Sequence, residues 1–274
     1  MVDIQLDELE RASEQLERKA LQSLHQHCLP DLRADLGLDL IEVEDGLIAC
    51  SSTDSSILLN RVAGLGVHKS VTVDALRQVQ EIYASRGIAN YFLHIYPDSL
   101  EADAQQMLDG EDFDKRRGWM KFCAKDPQPR TAETELRVEQ VGVDKSEDFG
   151  RIVCNAFGMS DLSIPLLASL ANDDRWKLFV SYDGDQAAGA GAIFIEGNMG
   201  WIEWGATDPD FRRRGSQAAI MAARLNLASE MGVDYVFTET GEEVEGDPQH
   251  SYKNILKAGF EESILRANYA PSQP

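Results

Sequence analysis

The sequence predicts an α+β protein, a mixed sheet flanked by helices and built from two copies of one unit. The order strand, long helix, strand, shorter helix, strand runs twice along the 274 residues. Turn signals at Asp45-Gly46, Asp183-Gly184-Asp185 and Gly197-Asn198 join neighbouring strand-like runs into hairpins. A polar stretch with two prolines, DPQPRTAET at 126–134, separates the copies as a linker does. The length also exceeds the usual domain mode of ~100–150 residues. The copies are therefore placed at 1–130 and 131–274, although no residue-level repeat is visible.

The first copy opens with a helix over 3–28, where Ile4, Leu9, Leu16, Leu21 and Leu24 recur near helical spacing. Two short strands fill 38–51, and the apolar run 57–67 reads as a buried strand. A helix over 73–86 takes Thr72 as its cap and Gly87 as its stop. The aromatic-rich segment 89–96 is a strand that Pro97 ends, since proline cannot donate to a ladder. A helix at about 99–109 and a strand at 117–124 complete the copy. The second copy begins with a strand over 135–141 and a helix over 146–157. A shorter helix near 162–171 takes Asp161 as its cap. Strands follow at 177–183, 186–196 and 199–207, then a long helix over 215–231 stopped by Gly232. A strand at 234–240, a helix at 251–257 and a strand at 262–269 finish it.

The charge narrows the function. There are 26 Lys+Arg against 47 Asp+Glu, a net −21, which repels nucleic acid and anionic membrane surfaces. No ~20-residue apolar run offers a membrane span, and the opening MVDIQLDELE lacks the basic start and apolar core of a secretory signal. Cys28, Cys50, Cys123 and Cys154 form no CxxC pair, so they read as buried thiols of a cytoplasmic protein. His25, His27 and Cys28 do not share one helix face, and no metal is expected. The halves carry −9 and −12, so the acidity is no separate tail.

One segment breaks that acidity. TDPDFRRRGSQA, 207–218, joins a strand to the long helix, and Arg212, Arg213 and Arg214 are the chain's one run of three arginines. The first turn of a helix has unpaired N–H groups and a partial positive charge. Gly215 lets an anion approach the backbone closely. A solvated basic turn is the alternative for these residues alone; together with the glycine they suit a pyrophosphate.

A strand followed by DP-x-[FY]-R-x-R-G at the head of a long helix resembles the GNAT acetyltransferase superfamily, whose acetyl-CoA signature is [QR]-x-x-G-x-[GA]. Gln217 stands where that signature has Gly or Ala. SYKNILKAGF, 251–260, is similar to the family's late helix ending in Gly-Phe. The resemblance covers about 135–270 and implies a mixed, mostly antiparallel GNAT-type sheet. It implies acetyl-CoA as co-substrate, its pyrophosphate on the N–H groups of Arg213, Arg214, Gly215, Ser216, Gln217 and Ala218 beside Arg212. It also implies backbone contacts to the pantetheine arm at Ala206 and Thr207. The first half has no such signature: Gly64 and Gly66 precede its helix without a following Arg-x-x-Gly. It reads as a degenerate GNAT-like domain without cofactor.

Acetyl transfer to an amine needs a proton acceptor and charge stabilisation at the thioester oxygen. Glu203 is the one carboxylate inside the strand before the signature, and alternation puts Trp201, Glu203 and Gly205 on one face. Glu203 is the expected base, with a solvent-facing strand residue as the alternative. The family's general acid is a Tyr four residues before the Gly of Gly-Phe. Ile255 stands there, and Tyr252, one turn earlier, is the expected substitute. The loop 239–247 holds five carboxylates and suits a cationic acceptor, or is simply solvated. Phe157, Met159 and Trp176 are candidates for the acceptor pocket or for core. The resemblance thus implies an N-acyltransferase acting on a primary amine of a small molecule or peptide, with homodimerisation left open. The alternative is a non-catalytic CoA-binding or regulatory module.

Overall fold

In the computed structural model, which describes residues 6–272, eleven strands form one sheet. The first segment, α1 (Glu8–Gln26), starts on a capping box: Asp7 accepts from the Glu10 N–H while the Glu10 side chain accepts from the Asp7 N–H. The predicted start at residue 3, with Ile4, lies outside the described residues. A second helix, α2 (Pro30–Leu36), was not predicted; Pro30 opens it, with φ preset for a first turn, and Gly37 closes it in the left-handed region. The hairpin β1 (Leu38–Val43) and β2 (Gly46–Ser51) follows the predicted turn.

The strand expected over 57–67 is confined to β3 (Arg61–Ala63). Before it the Asn60 side chain donates to the carbonyls of Asp54 and Ser56 and fixes a turn; after it Gly64 and Gly66 adopt positive φ. Then come α3 (Val73–Ser85), capped by the Thr72 hydroxyl, β4 (Phe92–Ile95), α4 (Ala102–Leu108) and the long β5 (Phe113–Lys125).

Past the linker lie β6 (Arg137–Val141), α5 (Ser146–Phe157), α6 (Ile164–Ala168), β7 (Trp176–Asp183), β8 (Gln186–Glu196) and β9 (Met199–Thr207). The short helical turn before α6 is capped by Ser160 rather than Asp161. The chain ends in α7 (Ser216–Glu230), β10 (Tyr235–Gly241), α8 (His250–Lys257) and β11 (Glu261–Pro271). The sheet is mostly antiparallel, with parallel pairing at β3–β4 and β9–β10.

The sheet runs β1-β2-β3-β4-β11-β5-β10-β9-β8-β7-β6. The final strand, β11, sits between β4 and β5, and β5 sits between β10 and β11. Each half's last strand is thus inserted beside the other half's strands, and the sheet is continuous across the 130/131 cut. One apolar cluster joins α1, α2, α5 and α6 to Trp201, Trp204 and Phe237. A second joins α7 and α8 to Ile193, Ile202 and Val236, and a third joins α3 and α4 to β2–β4. The linker is strapped to α7: Arg130 and Asn226 exchange two hydrogen bonds, and the Thr134 hydroxyl donates to the Arg214 carbonyl.

Candidate active site

Strands β9 and β10 pair in parallel over only three residues, Met199–Trp201 against Tyr235–Phe237, and then separate. A cavity of about 280 Å³ opens where they part. Residues 202–205 and 238–241 form its two strand walls. Gln217, Met221 and Arg224 close it from α7, and Ser251 and Ile255 from α8. Leu58, Arg61 and Trp119 reach it from the first half.

A bulge shapes the β9 wall. Ala192 opposes Glu203 and Ala190 opposes Ala206, so β9 has one more residue than β8 in this interval, and Trp204 takes φ 60°. The bulge corrects the expected alternation. Trp204 and Ala206 stay in the Trp201 cluster, whereas Gly205 is exposed toward Arg224 on α7. Arg224 is buried and donates to the carbonyls of Ala192 and Glu203, which flank the bulge. Burial without a carboxylate partner lowers its pKa to about 9.

Glu203 lines the cavity, but its carboxylate is engaged. Arg61 donates to it at 2.8 Å, and the Trp201 indole N–H donates at 3.3 Å. Arg61, on β3, is a first-half residue buried to 1 % exposure. The cavity holds a second carboxylate, Glu239, which the sequence offered only as one member of an acidic loop. Arg266 of β11 contacts it. The same guanidinium meets Glu14 at 3.0 Å and Glu17 at 2.9 Å, and Lys121 of β5 meets both of those glutamates at 2.7 Å. Burial resists ionisation of Glu17, yet Arg266, Lys121 and Arg61 hold it well below the usual carboxylate range. For Glu239, burial and repulsion from Glu17 outweigh Arg266 and raise its pKa to about 7.

The loop before α7 also takes shape. Gly215 has φ 82°, and a Cβ there would lie 2.3 Å from the Glu133 carbonyl oxygen, so only glycine fits. Among the described residues, none of the N–H groups from Arg213 to Ala218 donates to the protein, and Arg212 and Arg213 have no carboxylate partner. Arg214 pairs with Asp183 at 2.7 Å. The Ser216 hydroxyl bonds the Ser181 hydroxyl at 2.7 Å. Gln217 fits where a small residue was expected by turning to α8: it donates to Ser251 at 3.3 Å and accepts from Asn254 at 2.8 Å.

Ala206 and Thr207 continue β9 past the cavity lining. Tyr252 is not brought to the cavity. It lies about 100° around α8 from Ser251, its ring meets Phe122 edge-on, and its hydroxyl donates to Glu262 at 2.6 Å. Burial and that carboxylate push its pKa well up. Ile255 faces the cavity instead. Phe157 lines the cavity, while Met159 and Trp176 are core. Arg61 and Trp119 carried no local signal, because only the tertiary fold brings them to β9 and β10.

The first half differs at its corresponding junction. The carboxylate of Asp45 accepts from the N–H groups of Gly66, His68 and Lys69. The split between β3 and β4 is closed again by Val71, whose N–H donates to Ser99 and whose carbonyl accepts from Glu101. Among the described residues, no group of three or more His, Cys, Asp or Glu could hold a metal ion, and no helix is long and apolar enough to cross a membrane.

Solved structures share this fold over nearly the whole chain. A GCN5-related N-acetyltransferase from Sphaerobacter thermophilus matches with a TM-score of 0.61 at 16% identity, covering 96% of this chain and 94% of that one. One from Kribbella flavida matches with a TM-score of 0.61 at 12% identity, covering 96% of each. The chain has the fold of the GCN5-related N-acetyltransferases. A functionally unknown conserved protein from Staphylococcus epidermidis also matches, with a TM-score of 0.59 at 9% identity, covering 91% of this chain and all of that one. No family model and no curated protein matches the sequence.

Proposed function

We propose that the chain transfers an acetyl or related acyl group from acetyl-CoA to a primary amine of a small molecule or peptide. The amine attacks directly while both substrates are bound. The observation that carries this reading is the parting of β9 from β10 over a cavity that holds two carboxylates. The free N–H groups at the head of α7, with Arg212 and Arg213 beside them, supply the donors and positive charge that a pyrophosphate requires. Gly215 leaves no side chain in the way. Beyond the three residues paired to β10, β9 has no strand partner on that side, which leaves its edge to an extended amide-bearing arm, with Ala206 and Thr207 at its far end. On this reading a bulge N–H would stabilise the thioester oxygen.

On this reading Glu203 is a candidate base, and Arg61 draws the first half into the site. The first half, whose amides are filled by Asp45, would take no cofactor of its own. The two-domain reading, 1–130 and 131–274, keeps that half as the wall of the acceptor cleft. A cationic acceptor suits the carboxylates of the cavity and of residues 242–247. One observation favours the second reading, a CoA-binding module without turnover: α8 presents Ile255 to the cavity, and the Tyr252 hydroxyl is turned away.

Thermal unfolding with acetyl-CoA, followed by thiol release across a panel of amines, tests both. Ligand that binds the native state raises the melting temperature by mass action. Stabilisation together with amine-dependent thiol release is expected. Stabilisation without release from any amine points to the module, and no stabilisation at millimolar acetyl-CoA removes both readings.

A further inference from the structure

We infer that Glu239 is the proton acceptor for the incoming amine, and that Glu203 holds the amine in place through its fixed pairing with Arg61. The inference rests on the acyl-transfer reading above and assigns the roles of its two carboxylates.

The charges around Glu239 carry it. On the α1 side lie Glu14 and Glu17; β5 contributes Lys121, and β11 contributes Arg266. With Glu239 ionised, three carboxylates share two cations. Each of the other two glutamates touches both Lys121 and Arg266, whereas Glu239 touches Arg266 alone. The other charged neighbours do not correct this balance. Arg61 also acts on Glu17 and Glu239, but it brings its partner Glu203 with it, so four carboxylates then share three cations and the excess of one remains. His94 of β4 is fully buried near Arg266, and burial holds it neutral. Its Nδ1 lies 2.7 Å from the Asn268 side chain.

The cluster therefore gains by accepting one proton. Glu14 and Glu17 are sealed at 2 % and 0 % exposure, while Glu239 opens onto the cavity. A proton can reach the cluster from a bound substrate at Glu239. Glu203 lacks this need, since its carboxylate already has a guanidinium at 2.8 Å and an indole donor. The raised pKa of Glu239, about 7, agrees with the charge count and places the group in a base's working range.

The step balances without a further reactant. An amine that arrives as an ammonium ion gives one proton to a Glu239 carboxylate oxygen. The freed nitrogen lone pair forms the C–N bond to the acyl carbon, the C–S bond breaks, and its electron pair leaves on sulfur. The second amine proton neutralises the thiolate, and Glu239 returns its proton to solvent.

The test compares kcat/KM against pH for the full-length wild type, Glu239→Gln and Glu203→Gln, with the best amine from the panel. Carboxyl-labelled glutamate NMR of the free wild type reads the titration of Glu239 directly, with Glu239→Gln giving the assignment. We expect the wild-type activity to rise through an acid limb near pH 7. That limb should be absent in Glu239→Gln, with kcat at least 100-fold lower at pH 8. Glu203→Gln should keep the limb and show its loss mainly in KM. An active wild type whose limb survives in Glu239→Gln overturns the assignment while leaving acyl transfer intact. A Glu239 resonance that titrates below pH 5 overturns it without any activity measurement. A wild type that binds acetyl-CoA but releases no thiol ends the acyl-transfer reading and the assignment with it.

Discussion

Replacing Glu239 by Gln should stabilise the protein in alkali and leave it unchanged in acid. Glutamine copies the protonated carboxyl in size and hydrogen bonding but cannot ionise. In the folded chain the carboxyl has a pKa of about 7 against an ordinary 4.5. The native state therefore holds this proton more tightly than the unfolded chain does. The resulting stabilisation is complete below pH 4.5 and is lost as pH rises through 7. Above that the wild type carries the whole cost of a buried, undercompensated charge. The rise from 4.5 to about 7 corresponds to ~3–4 kcal/mol, taking ~1.4 kcal/mol for each tenfold change in proton affinity. Denaturant unfolding of both proteins at pH 5, 6, 7, 8 and 9 reads it. The gap should be ~1 kcal/mol at pH 5, open mainly between pH 5 and 7, and level off at ~3–4 kcal/mol from pH 8. A gap that stays flat with pH, or one in which Gln is the less stable form at pH 9, would show that the contact with Arg266 outweighs burial and would refute the charge count.

Two further substitutions test the surrounding geometry. Gly215→Ala forces an L-residue to φ 82° and drives a methyl group against the Glu133 carbonyl; the strain alone costs ~1–2 kcal/mol. Its melting temperature should fall by at least several degrees, and acetyl-CoA affinity, read by calorimetry, should weaken at least tenfold. Tyr252→Phe removes one hydrogen bond to Glu262. A stability loss of ~1–2 kcal/mol in denaturant unfolding is expected, with an unchanged pH profile of turnover. An altered alkaline limb would restore Tyr252 to the chemistry.

The sequence showed clearly what local chemistry controls. Thr72 and Gly87 bracket α3 because a hydroxyl and a left-handed glycine satisfy helix ends within a few residues. The run Arg212–Gly215 is likewise a local signal, since the loop, the glycine and the helix start are contiguous. The 57–67 run reads as a strand throughout yet holds only three strand residues, because apolar content does not distinguish a strand from a turn held by Asn60. The bulge was hidden because nothing about Trp204 announces a positive φ. Glu239 looked like one acid among several because its meaning comes from distant partners: Arg266 is 27 residues away, and Glu17 lies 249 residues from that same arginine. Tyr252 failed for the opposite reason: its position along α8 was right to within one turn, but 100° of rotation per residue decides which side chain meets the cavity.

The exchanged last strands also constrain the order in which the chain can assemble. During synthesis residues 1–130 emerge long before 261–271, yet β4 has its hydrogen-bonding partner only in β11 on that side. β5 likewise waits for both β10 and β11. Until those strands exist, one edge of β4 and both edges of β5 are open, the kind of surface that invites pairing with the wrong chain. Lys121, Glu14 and Glu17 likewise lack their common partner Arg266 until β11 is made. The first half can collapse around α3 and α4, but its seam with the second is sewn last. Nascent chains should therefore stay susceptible to proteases in the 113–125 segment until the end of β11 clears the ribosome.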